Sequence, residues 1–126
     1  MRPEPEAAAR RFLIVDDNAH FLAAARDLLE REGLVVVGVA STSAEALRLA
    51  EELRPDAILV DVDLGEESGF DLAQRLSADG VAPVVLISAY AESELVDLIT
   101  ASPAVGFVSK SELSARAVAD RLGPPL

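Results

Sequence analysis

Five continuous apolar runs of strand length mark the chain: Phe12 to Val15, Leu34 to Val39, Ala57 to Val60, Val84 to Ile87, and the weaker Val105 to Val108. They do not alternate with polar residues, and unbroken runs of this kind predict strands covered on both faces. Between them the apolar spacing changes to the helical period. Phe21, Ala25, Leu28 and Leu29 recur at i, i+4, i+7 and i+8 before Gly33. Thr42 and Glu45 have capping-box spacing ahead of Ala46, Leu47, Ala50 and Leu53, and Pro55 closes that helix. Ser68 with Asp71 opens a third helix through Leu72 and Leu76, with Gly80 after it. Leu95, Leu98 and Ile99 mark a short fourth helix before Pro103, and Leu113, Ala117, Val118 and Leu122 mark a fifth. Regular strand–helix alternation predicts an α/β three-layer sandwich, a parallel sheet with right-handed crossovers. For five such units the flavodoxin-like (βα)5 order 2-1-3-4-5 is expected, with the weaker second and fifth strands at the edges.

At 126 residues one domain is the natural size, with the ordered body expected over 11–122, a lead-in over 1–10 and a tail over 123–126. Cysteine is absent, which excludes disulfide frameworks, thiolate metal sites and cysteine nucleophiles. The net charge of −11 argues against direct nucleic-acid binding and against docking on anionic lipid. No run approaches a membrane span and Met1 to Arg11 has no signal-peptide core, so a cytoplasmic protein is expected.

In an open parallel sheet the ligand site lies beyond the carboxyl ends of the strands, where strand order reverses. For this order the switch falls between strands one and three. Asp16 and Asp17 follow strand one, Asp61 ends strand three with Asp63 two residues on, Ser88 follows strand four, and Ser109 and Lys110 follow strand five. Helix capping would explain one of Asp16 and Asp17, not both together with Asp61. Like charges brought together raise one another's pKa unless a cation relieves them, and an all-oxygen set suits Mg²⁺ or Mn²⁺. Lys110 is the only lysine in a chain whose other basic residues are arginine, a compact charge suited to a carboxylate or phosphate oxygen. A metal, a nucleophilic carboxylate, a hydroxyl and an ammonium are the equipment for phosphoryl transfer to an aspartate.

The motifs LIVDDN at 13–18, ILVDVDL at 58–64, VVLISAY at 84–90 and GFVSK at 106–110 together closely resemble the receiver domain of two-component response regulators, over Arg11 to Leu122. The resemblance implies that Asp61 is the phosphoacceptor. It implies that Asp16, Asp17, Asp61 and the backbone carbonyl of Asp63 hold Mg²⁺, and that Ser88 and Lys110 contact the phosphoryl group. It further implies that Ser88 and Phe107 form a switch pair, that Gly69 lets the loop after the acceptor turn, and that Asp63 and Tyr90 flank the phosphoryl group and tune its lifetime. The partners implied are a sensor histidine kinase or histidine phosphotransfer protein upstream, and a downstream protein at the face of helix 4, strand 5 and helix 5. Such a chain catalyses only its own phosphorylation and dephosphorylation.

The chain departs from the family pattern in two places. Gly65 stands where proline is frequent, and Ser111 follows the lysine where proline, often after a cis peptide, is usual. Two other readings remain. Asp61-Val62-Asp63-Leu64 also resembles the DxD motif of haloacid-dehalogenase-type phosphatases, but there the nucleophile comes first and the acidic pair last. A receiver used only for docking, never phosphorylated, is the other. His20 reads as a surface histidine, Glu66 and Glu67 as a solvated loop, and Glu92, Glu94 and Asp97 as the polar face of the fourth helix.

Overall fold

Each apolar run forms a strand in the computed structural model, which describes residues 10–123. The strands are β1 (Arg11–Val15), β2 (Val35–Ala40), β3 (Ala57–Asp61), β4 (Val84–Ser88) and β5 (Gly106–Ser109). All pair in parallel, in the order β2-β1-β3-β4-β5, so the anticipated topology holds and β2 and β5 are the edges. The helices are α1 (Ala19–Arg31), α2 (Ser43–Leu53), α3 (Gly69–Ala78), α4 (Val96–Ala101) and α5 (Ala115–Leu122). The expected lead-in and tail lie outside the described residues except for Arg10 and Gly123, which are tied together by a 2.6 Å hydrogen bond from the Arg10 guanidinium to the Gly123 carbonyl.

The two-period pattern along the strands explains the layers. Leu13, Val15, Ile58, Val60, Leu86 and Phe107 point to one face, where Ala46, Ala50, Leu72 and Leu76 of α2 and α3 cover them, with Leu95 and Ile99 packed alongside. Phe12, Ile14, Leu59, Val85, Ile87 and Val108 point to the other, under Leu22, Ala25 and Leu29 of α1 and Val118 of α5. The central strand β3 is buried along its whole length, including the carboxylate-bearing Asp61 at its end.

Four local features differ from the sequence reading. The segment after Asp61 is not a plain solvated loop. Asp63–Leu64 pairs antiparallel with Glu67–Ser68 around Gly65, whose φ of +77° suits the first central position of a two-residue hairpin turn. Proline, fixed near −65°, cannot adopt that angle, which accounts for glycine here. Glu67 is also engaged, accepting a 2.9 Å hydrogen bond from the Ser43 amide at the start of α2. In that helix Thr42 Oγ1 accepts from the Glu45 amide, but Glu45 reaches back one residue further than a capping box, to the Ser41 amide at 2.9 Å. Glu92 and Glu94 lie in a separate 3-10 turn rather than on α4. Leu113 precedes α5, which Ser114 caps after a 3-10 turn over Lys110–Glu112. All described peptide bonds are trans, that between Lys110 and Ser111 included.

Candidate functional site

The sheet's carboxyl end opens into a cleft of ≈ 260 Å³ lined by Asp16, Asp17, Asn18, Asp61, Asp63, Ser88, Ala89, Tyr90 and Lys110. Each comes from a strand end or from the residues just beyond it, as the switch-point argument requires. A larger cleft of ≈ 370 Å³ lies at the opposite end of β4 and β5. Its lining, which includes Val81, Pro83, Pro103 and Val105, carries no ionisable side chain, so the chemistry belongs to the smaller one.

Local hydrogen bonds leave the carboxylates available. Neither Asp16 nor Asp17 caps α1; Asn18 does, its side chain accepting from the Phe21 amide at 3.0 Å. Asp16 Oδ1 accepts from the Asn18 amide at 2.8 Å, which shapes the turn out of β1. Asp61 Oδ1 likewise accepts from the Asp63 amide at 3.1 Å. The second oxygens of both groups face Lys110, whose Nζ lies 2.6 Å from Asp16 Oδ2 and 2.9 Å from Asp61 Oδ2. Asp16 is fully buried and Asp61 nearly so. Ser88 is also buried, and its Oγ accepts from the Tyr90 amide at 3.0 Å.

Burial pushes the Asp61 carboxyl up to about 6, with Asp16 adding to the rise, while hydrogen bonds from Lys110 and the Asp63 amide pull against it. Burial alone would lower the Lys110 ammonium, but its close ionic contacts with Asp16 and Asp61 win, and its pKa lies above the ordinary lysine value.

The donor set fits a hard divalent cation. One oxygen each from Asp16, Asp17 and Asp61 can be chosen so that all lie within 4.8 Å of one another. Buried Asp16 Oδ2 has its ion pair with Lys110 but no hydrogen bond of good geometry. That is a buried anionic oxygen with unspent capacity. Gly69 lets α3 begin hard against the end of β3, though not by a left-handed turn. It starts α3, buried, where a Cβ would run into the backbone carbonyl of Asp61. Tyr90 stands at the rim, 56% exposed, and Phe107 is not in the cleft but buried in the core beneath α4.

A family model described as the response regulator receiver domain matches residues 12–120. The chain is a response regulator receiver. Relatives agree. The transcriptional regulatory protein PdtaR of Mycobacterium tuberculosis is 32% identical over 104 residues, covering 82% of this receiver and 51% of PdtaR. A protein-glutamate methylesterase/protein-glutamine glutaminase of Myxococcus xanthus is 38% identical over 103 residues, covering 79% of this receiver and 30% of that enzyme. The receiver thus spans about half the length, or less, of these curated relatives. Among solved structures, the signal receiver domain of a modulated diguanylate cyclase from Desulfovibrio desulfuricans superposes with a TM-score of 0.76 at 31% identity, covering 90% of both chains. A response regulator from Burkholderia pseudomallei, solved with a phosphorylated aspartic acid, calcium ion and citrate, gives 0.76 at 27%, covering 90% of this receiver and 66% of that chain. No described helix of the receiver is long and apolar enough to cross a membrane.

Strand-end placement brings the acids, Ser88 and Lys110 into one cleft, as the sequence led us to expect. The sequence did not point to Phe21, whose ring centroid lies 4.1 Å from Lys110 Nζ. Its helical spacing marked it only as a core-facing position, and nothing local in the sequence ties it to a residue 89 positions away.

Proposed function

We propose that Asp61 is the phosphoacceptor of this receiver, taking a phosphoryl group from the phosphohistidine of a sensor histidine kinase or histidine phosphotransfer protein, or from a small donor such as acetyl phosphate. The ion pairs carry this reading: Lys110 Nζ sits against Asp61 Oδ2 at 2.9 Å and Asp16 Oδ2 at 2.6 Å, beside a third carboxylate. An Asp61 carboxylate oxygen attacks phosphorus. The P–N bond of phosphohistidine, or the P–O bond of acetyl phosphate, breaks, and its electron pair leaves with the donor. The product is an aspartyl phosphate, which water later cleaves to inorganic phosphate.

Asp16, Asp17 and Asp61, with the Asp63 carbonyl, would hold Mg²⁺ or Mn²⁺, which supplies charge neutralisation at the transferring oxygens. Lys110 offsets charge on another phosphoryl oxygen. The Ser88 hydroxyl, buried beside it, donates to the phosphoryl group, and Phe107 follows Ser88 in a shift between two packings. That shift is read at α4, β5 and α5, where Val96 and Leu98 are more than half exposed, by a downstream protein. Tyr90, at the rim beside Ser88, shields the phosphoryl group from water, while Asp63 on the other strand end flanks it. The receiver acts in the cytoplasm.

The test is intact-mass analysis after incubation with acetyl phosphate and Mg²⁺. The expected result is a labile phosphoryl adduct, absent in Asp61→Asn and shorter-lived in Tyr90→Ala. Wild-type protein without an adduct would leave the docking-only reading in its place, and an unchanged or longer lifetime in Tyr90→Ala would remove the shielding role.

A further inference from the structure

We propose that Phe21 is a positioning residue for phosphoryl transfer: its ring holds the Lys110 ammonium at the mouth of the site. The proposal rests on the reading of Asp61 as phosphoacceptor. Lys110 leaves β5 into a 3-10 turn, and its side chain crosses towards α1. There Nζ stands 4.1 Å from the Phe21 ring centroid, within the range at which an ammonium is attracted to an aromatic face.

The ring is well placed to hold a flexible chain. Phe21 is the third residue of α1, and its amide is fixed by the Asn18 cap at 3.0 Å. Its side chain is half-buried and packs on the core shared by β1, β5, α1 and α5. A lysine stem has four rotatable carbons and a strongly hydrated head, whereas a packed phenyl ring has little freedom to lose. The Lys110 side chain is only 20% exposed, so water competes only in part and the attraction to the ring is stronger than at an open surface.

The ring does something that the carboxylates cannot. A divalent cation at the acidic site repels the ammonium and competes with it for the charge of Asp16, so filling that site weakens one of the two anchors of Lys110. An uncharged ring is not contested in that way. It keeps the ammonium beside Asp61, where the transferring oxygens gather, whichever partner Asp16 takes.

Because Lys110 is the only lysine, its ε-CH₂ signal identifies itself in a proton–carbon correlation spectrum of the full chain. In metal-free wild type and in Phe21→Tyr this signal is expected upfield of a free lysine, displaced by the ring current. In Phe21→Leu, which keeps apolar bulk without the ring, it returns towards the ordinary position. Phosphorylation by acetyl phosphate with Mg²⁺ slows about three- to tenfold in Phe21→Leu and is restored in Phe21→Tyr. Equal rates in Phe21→Leu and wild type overturn the proposal, as does an equal loss in both variants, which would assign the effect to packing. An ε-CH₂ signal that does not differ between wild type and Phe21→Leu removes the ring contact whatever the rates show. Failure of the wild type itself to take a phosphoryl group instead sinks the phosphoacceptor reading, and the spectrum still decides the contact.

Discussion

Asp61 is a carboxylate that folding makes harder to ionise. Its pKa rises from 3.8 to about 6, led by burial. Between those values the native state keeps a proton that the unfolded chain has released, so stability falls as pH climbs from about 4 to about 6, and the full penalty is present above that. Asp61→Asn removes the charge and keeps the shape. In metal-free urea unfolding at about pH 7.5 the variant is therefore expected to be more stable by about 1–3 kcal/mol, the gain shrinking to nothing near pH 4. A variant no more stable than wild type at neutral pH would show that the Asp61 carboxyl is not held above its ordinary value. Most of this residue-level picture was legible in the sequence, since Asp16, Asp17, Asp61 and Lys110 were fixed by strand ends that a parallel sheet must bring together. The cap at Asn18 and the pairing of Lys110 with Asp16 as well as Asp61 were not. Both depend on side-chain directions that spacing does not encode.

Elements bring those residues together, and at the start of α3 the fit leaves no room for a side chain. Gly69 donates its amide to the Val62 carbonyl at 2.9 Å and leaves no room for a Cβ against the backbone of Asp61 and Val62. The obstacle is backbone, which cannot swing aside as a side-chain tip can. Gly69→Ala is thus expected to destabilise the fold by about 1–3 kcal/mol despite alanine's better helix propensity, and to displace Asp61 enough to slow its phosphorylation. Chemical denaturation checks the first effect and adduct mass the second; a variant as stable as wild type would show that α3 can slide. The long elements were readable because five continuous apolar runs and caps such as Thr42 and Ser68 agree with one another. The hairpin at Asp63–Ser68 was not, because two-residue strands carry no periodicity. The late start of α5 escaped for a similar reason: Leu113 packs on the same core as α5 without being helical.

At the scale of the molecule, a chain of net charge −11 concentrates four of its acids in one cleft, three of them close enough to share an ion, so cations should stabilise it in two separable ways. Any salt screens the self-repulsion of the whole surface. A divalent ion that binds only the folded cleft adds a linkage gain of about 1.4 kcal/mol at ten times its dissociation constant, and raises the melting temperature accordingly. The second gain needs an ionised Asp61, because a proton and the cation compete for the same oxygens. Binding must therefore weaken as pH falls through about 6, by at most tenfold per pH unit if one proton is displaced, and should release close to one proton below that point. Mg²⁺ titrations followed by thermal unfolding at matched ionic strength separate the two effects. Wild type is expected to gain stability saturably at neutral pH and little at pH 5, whereas Asp61→Asn keeps the screening component and loses most of the rest. A saturable gain of equal size in Asp61→Asn would locate the cation elsewhere on the acidic surface, away from Asp61.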